Sequence, residues 1–212
     1  LSQILFYQLN LKSFQEAQSI NKWMSKYDEP ALNNSMIIGI LGVGYLGSFV
    51  GKQLQQYGYN IIGFKNSKPN VKYSFPVFFE KNSLKQFLRQ CDVLICILPS
   101  TPETYHMIDG NFLQEMKKKA LLINVGRGPT LYEKALIIHL KKYKQFYASL
   151  DVFETEPLPK SSPLWQFPNV TITPHIGSLT VVDTAVKYMY KKYQQYKKNG
   201  KIKNDVNLLK GY

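Results

Sequence analysis

Three glycines, Gly42, Gly44 and Gly47, follow directly on the apolar run 36–41 and open an amphipathic stretch. In a strand–turn–helix setting this G-x-G-x-x-G spacing has a mechanical meaning. The first glycine allows a tight turn, the second lets the backbone come close to a pyrophosphate, and the third lets helix and strand pack closely. The helix N-terminus then presents its N–H groups to the phosphates. Alone the pattern also serves plain packing, and its context is what favours a dinucleotide. A carboxylate is expected roughly 20 residues further on where ribose hydroxyls are to be held. Lys65 stands 23 positions after Gly42, followed by Asn66, Ser67 and Lys68. A lysine attracts a 2′-phosphate that a carboxylate would repel, so these residues favour NADP(H), with NAD(H) possible. Exposed loop lysines without a ligand are the alternative.

Four later segments close apolar runs of strand length: 98–104, 124–128, 151–157 and 173–178. Arg127, between Gly126 and Gly128, is uncrowded and can offer its fork to a carboxylate in two parallel hydrogen bonds. Singly, Arg127 reads as a surface loop residue and His175 as a satisfied loop histidine. Converging on one rim, they read as a site.

Such a rim needs a scaffold that delivers strand ends to one edge. The strand-length runs lie at 36–41, 60–64, 77–79, 92–97, 120–125, 146–151 and 170–173, and helix-length stretches at 45–57, 83–89, 111–116, 131–142 and 181–198 alternate with them. This alternation predicts an α/β fold, a doubly wound parallel sheet of the Rossmann type, whose ligand lies outside the carboxyl ends of the strands. Residues 1–26 read as one or two helices, set off by Asp28-Glu29-Pro30. The organisation expected is a helical arm over 1–35, a nucleotide-binding domain over 36–180, and a C-terminal helix and tail over 181–212.

With 44% hydrophobic residues in 212, the chain can bury a proper core. No apolar run approaches the roughly 20 residues needed to cross a bilayer, so a cytoplasmic protein without membrane contact is expected. The net charge of +13 raises nucleic acid as a partner. The lysines, however, cluster at 117–119, 141–144 and 187–203, the longer stretches interleaved with tyrosine, as on solvated helix faces and ends. No nucleic-acid partner is therefore expected. Cys91 and Cys96 read as reduced core thiols rather than a disulfide or metal site.

Taken together, Gly42-x-Gly44-x-x-Gly47, Leu98-Pro99-x-Thr101-Pro102-Glu103-Thr104, Arg127-Gly128, Asp151-Val152-Phe153-x-x-Glu156-Pro157-Leu158-Pro159 and Thr173-Pro174-His175 resemble the D-isomer-specific 2-hydroxyacid dehydrogenases. Within that family, Ser162-Pro163-Leu164-Trp165, the non-acidic end of the second strand and the closing Gly211-Tyr212 resemble the glyoxylate/hydroxypyruvate reductase A branch. The resemblance implies an oxidoreductase reducing a small 2-oxo acid, glyoxylate or hydroxypyruvate, and a homodimer formed through the nucleotide-binding domain. It makes Arg127 the residue holding the substrate's carboxylate and carbonyl, His175 the proton donor and Glu156 its carboxylate partner, with Asp151 supporting the nicotinamide end. It lays the cofactor against Gly42, Gly44, Tyr45, Leu46, Gly47, Lys65, Asn66, Lys68, Leu98, Pro99, Thr104, Val125, Gly126, Arg127, Asp151, His175 and Gly177, with no metal.

Family members carry an N-terminal flavodoxin-like substrate lobe that has no counterpart before residue 36. With Leu1 in place of an initiator Met, the chain is expected to be a piece of a longer protein. A nucleotide-sensing interaction module, or an inactive fragment that keeps cofactor binding, is the alternative reading. Trp23 is expected to be a packing aromatic rather than a pocket residue reaching a partner subunit, and Trp165 a core anchor.

Overall fold

The computed structural model describes residues 1–68, 71–178 and 180–200. The strand-length runs form β1 (Ile37–Leu41), β2 (Asn60–Lys65), β3 (Val77–Phe79), β4 (Val93–Cys96), β5 (Leu121–Asn124), β6 (Tyr147–Leu150) and β7 (Val170–Ile172). They make one seven-stranded sheet of order β3-β2-β1-β4-β5-β6-β7 in which every neighbouring pair is parallel. The helices are α1 (Ser2–Gln8), α2 (Leu11–Ser19), α3 (Tyr45–Gln56), α4 (Leu84–Gln90), α5 (Gly110–Glu115), α6 (Glu133–Lys142) and α7 (Val182–Asn199).

Side chains alternate across a strand, and the core follows that rule. Ile38 and Ile40 of β1, Val93 and Ile95 of β4, and Leu121 and Ile123 of β5 join one buried cluster, together with Ile4 of α1 and Leu54 of α3. Leu41, Leu94, Cys96 and Leu122 enter the other, with Phe87 and Leu88 of α4, Phe112 and Leu113 of α5, and Leu136 and Leu140 of α6. Both faces of the sheet are thus covered, which is why its strands read as near-continuous apolar runs. Cys91 and Cys96 are free and fully buried. Burial pushes their thiols up to about 12 and about 11, so neither is a ready thiolate.

Residues 1–174 form one compact unit, with the sheet and α1–α6, and residues 175–212 a second, which includes α7. Helix α7 ends at Gly200 in the left-handed region (φ 64), whose N–H donates to the Tyr196 carbonyl at 2.7 Å. Its lysines lie over its own tyrosines, Lys192 5.4 Å from the Tyr188 ring and Lys197 5.9 Å from Tyr193. Lys201, Lys203 and the Gly211-Tyr212 pair fall outside the described residues.

Two aromatic expectations are corrected. Trp23 is 91% exposed, so it is not packed in this chain's interior. Trp165 is 50% exposed, its indole N–H donating to the Pro159 carbonyl at 3.0 Å, while the buried anchor of that segment is Leu164. The indole's one polar atom favours the loop surface, where it finds a carbonyl, over the core.

Candidate active site

The sheet reverses its strand order between β1 and β4, and the turn that leaves β1 opens at that point. Gly42 has φ 106, a conformation a side chain would resist. Its N–H donates to the Phe64 carbonyl at 3.0 Å, and a Cβ there would lie 2.7 Å from the Ile97 carbonyl oxygen. At Gly47 a Cβ would collide with the Gly42 carbonyl, so α3 can start this close to β1 only with glycine. Gly44 differs, since nothing lies within 4 Å of its added Cβ. It is also the N-cap of α3, and no side chain caps that helix. An uncapped helix N-terminus behind an open glycine fits a pyrophosphate, which needs close backbone approach and N–H donors. Tyr45 and Leu46 are exposed in the first turn.

Lys65 ends β2 in register with Phe79 of β3, and Asn66 and Lys68 follow it on the surface. Its ammonium lies 5.9 Å from the Tyr73 ring centre. The Tyr73 hydroxyl donates to the Val43 carbonyl at 3.3 Å, inside the glycine turn. Lys65 and the glycine turn are therefore linked through Tyr73.

The loops after β4, β5 and β6 are laid directly on one another. A Cβ on Gly126 would lie 2.6 Å from the Leu98 carbonyl oxygen, and one on Gly128 would collide with the Phe153 carbonyl. The glycines beside Arg127 thus do more than relieve crowding, for they let two neighbouring loops touch the Arg127 loop on either side. Arg127 itself is exposed, with Nη1 donating to the Gly126 carbonyl at 2.8 Å. Its carbonyl is gripped by the Thr130 hydroxyl at 2.6 Å and by Asn124 Nδ2 at 3.4 Å, while Asn124 Oδ1 accepts from the Gly126 N–H at 3.3 Å. Val125 continues the β5 ladder, its N–H donating to the Cys96 carbonyl at 3.1 Å.

In the loop after β4, Thr104 is buried and turns its hydroxyl inward to the Pro99 carbonyl at 2.7 Å, while the Thr101 N–H donates to that same hydroxyl at 2.9 Å. Asp151 is buried at the end of β6 and accepts the Thr173 hydroxyl at 2.5 Å. Glu156 accepts the Phe153 N–H at 2.9 Å and so closes its own loop. His175 begins the second unit directly after Pro174, its backbone left-handed at φ 54, and Gly177 follows in a turn.

Four residues that order these loops escape a reading by motif. Asn124 and Thr130 hold the Arg127 loop, Tyr73 touches the glycine turn, and His106 ties loop to loop. The His106 ring stacks between Tyr105 and Tyr132, and its Nε2 meets Glu154 at 3.0 Å. Glu154 and Glu133 each accept the other's backbone N–H, at 3.0 and 2.7 Å. Of the four, only Asn124, a polar residue closing an apolar run, left a readable trace in the sequence. Among the described residues no group of three or more His, Cys, Asp or Glu is placed to hold a metal ion, and no helix is long and apolar enough to cross a membrane.

Comparison with known proteins agrees with this geometry. Residues 1–177 match the family model described as the D-isomer-specific 2-hydroxyacid dehydrogenase NAD-binding domain. A D-isomer-specific 2-hydroxyacid dehydrogenase from Xanthobacter autotrophicus Py2, solved with NADPH and MES, superposes with a TM-score of 0.91 at 31% identity, over 99% of this chain and 85% of that one. An NADPH-dependent glyoxylate/hydroxypyruvate reductase from Sinorhizobium meliloti, solved with NADP and sulfate, gives 0.91 at 25% identity, over 100% of this chain and 67% of that one. The phosphoglycerate dehydrogenase of Lactobacillus plantarum gives 0.76 at 27% identity, over 98% and 67%. A glycine turn shaped for a dinucleotide, at the reversal point of a parallel sheet, fits an NAD-binding domain, and the chain belongs to the D-isomer-specific 2-hydroxyacid dehydrogenases.

Proposed function

We propose that the chain supplies the cofactor-binding and catalytic half of a reductase that converts a small 2-oxo acid, glyoxylate or hydroxypyruvate, to the 2-hydroxy acid using NADPH. The observation that carries the NADPH preference is the end of β2, where Lys65, Asn66 and Lys68 stand and no carboxylate does. The relatives from Xanthobacter and Sinorhizobium, solved with NADPH and NADP, support it. When bound, the nicotinamide supplies hydride to the substrate's carbonyl carbon.

The protein's own groups do the rest. Gly42, Gly44 and Gly47, with the N–H groups at the start of α3, hold the pyrophosphate, and Lys65 draws the 2′-phosphate. Arg127 binds the substrate carboxylate and stabilises the negative charge that builds on the carbonyl oxygen. His175 gives that oxygen its proton. A histidine suits the task because its ring can carry a proton and give it up, with Glu156 as its carboxylate partner. Asp151, fixed by the Thr173 hydroxyl, supports the nicotinamide end. The protein works as a cytoplasmic homodimer joined through the nucleotide-binding domain.

The test is NADPH oxidation by the full-length protein, followed with glyoxylate and with hydroxypyruvate. Turnover is expected with one or both, and His175→Ala should lower kcat by about 100-fold or more while leaving NADPH binding in place. A full-length protein that binds NADPH and turns over neither acid is a nucleotide-binding module and not a reductase.

A further inference from the structure

We infer that Tyr73 is a specificity-determining positioning residue that joins the two phosphate-reading parts of the cofactor site, its ring holding the Lys65 ammonium and its hydroxyl the Val43 carbonyl of the glycine turn. The inference rests on the reading of Lys65 as the group that meets the 2′-phosphate.

A lysine at the end of a strand carries a long flexible stem, and ordering that stem on a ligand costs binding free energy. A ring face that already holds the ammonium removes part of that cost, because the ring's quadrupole attracts a cation within about 6 Å of its centre. Lys65 sits at 5.9 Å from the Tyr73 centroid. Tyr73 is in turn held on two sides. Its ring stacks on Phe75, with centroids 6.1 Å apart and planes at 28°. Phe75 is buried, seated where Gly51 of α3 and Gly63 of β2 leave room, since a Cβ on Gly51 would lie 2.5 Å from the Phe75 ring and one on Gly63 3.0 Å from it.

On the other side, the Tyr73 hydroxyl donates to the Val43 carbonyl, while the N–H of the same Val43–Gly44 peptide donates to the Gly42 carbonyl at 3.0 Å. Both ends of that peptide are therefore fixed, and it is the one that leads into the N-terminus of α3. Tyr73 thus does two things at once. It sets the pose of the pyrophosphate turn, and it sets the pose of the lysine that separates NADPH from NADH.

Ring and hydroxyl are separable by mutation. NADPH and NADH are titrated against the chain by cofactor fluorescence, with a thermal melt on each variant. Tyr73→Leu should lower the NADPH-over-NADH preference by about two- to fivefold, the worth of a cation–ring contact at an exposed site. Tyr73→Phe keeps the ring, so the preference should stay while both nucleotides weaken together. Lys65→Ala should lower the preference further, and adding Tyr73→Leu to it should change the preference no more, because Tyr73 acts through Lys65. If Tyr73→Leu fails to fold, Tyr73→Met carries the same test.

An unchanged preference in Tyr73→Leu, beside a lowered one in Lys65→Ala, overturns the inference and spares the Lys65 reading. A double variant that discriminates worse than Lys65→Ala alone also overturns it, since Tyr73 would then touch the nucleotide itself. A preference indifferent to Lys65→Ala overturns the Lys65 reading and the inference with it.

Discussion

At Gly44 an added methyl group meets nothing within 4 Å, whereas at Gly47 and Gly128 it collides with the carbonyls of Gly42 and Phe153. The same residue type therefore serves two ends, and substitution separates them. Gly44→Ala should lower the melting temperature by no more than roughly 2–4 °C, the difference at a helix N-cap being about 1 kcal/mol or less. It should weaken NADPH and NADH alike, because the methyl projects into the space a pyrophosphate would fill. Gly128→Ala should cost about 1–3 kcal/mol of stability through forced separation of two packed loops, a fall of roughly 2–4 °C in Tm for each kcal/mol in a chain of this size. Normal nucleotide binding by Gly44→Ala would remove the glycine turn from the cofactor site. An unchanged melt for Gly128→Ala would mean that the loops after β5 and β6 can part freely.

The strands were legible because two covered faces demand long apolar runs, and each run in the sequence carries one strand with ends shifted by no more than a residue or two. The glycine turn was legible for the same reason, its spacing being dictated by the geometry of strand, turn and helix. What the sequence did not display is how the loops hold one another, because single hydrogen bonds to backbone leave no period. Asn124 and Thr130 show this: Asn124 stands out as a polar residue closing an apolar run and Thr130 not at all, yet that both fix the Arg127 carbonyl is visible only in the fold. Their effects should differ in size. Thr130→Val removes one of several donors to that carbonyl, which keeps the Thr130 N–H at 3.2 Å, and should cost about 1 kcal/mol. Asn124→Leu takes away a donor and an acceptor together and leaves the buried Gly126 N–H without its 3.3 Å partner, so about 2 kcal/mol or more is expected. Denaturant melts of the two variants decide the order, and equal costs would mean that Asn124 does not brace the loop.

For the molecule as a whole, the acid limb of stability turns on a residue with no part in the proposed chemistry. His139, on α6, is buried against Tyr143 and Phe146, with ring centres at 4.7 and 4.6 Å, and its Nε2 has no hydrogen-bond partner among the described residues. Burial first, and then the positive charge of Lys142, push its pKa down to about 4 from an ordinary 6.5. Between those values the unfolded chain takes up a proton that the native protein refuses, so stability falls as pH drops from 6.5 toward 4 and is fully present above 6.5. The slope from this one group reaches at most about 1.4 kcal/mol per pH unit. Glu133 acts with the opposite sign, because burial raises its carboxyl pKa and the native state then binds the extra proton, but its shift is the smaller one. His139→Phe fills the same apolar site without a titrating nitrogen. Its stability relative to the parent should be level above pH 7 and should rise steadily as the pH is lowered through 6 and 5. A parallel pair of stability curves across that range, in chemical denaturation at each pH, would show that His139 is not the group whose protonation loosens α6 from the sheet.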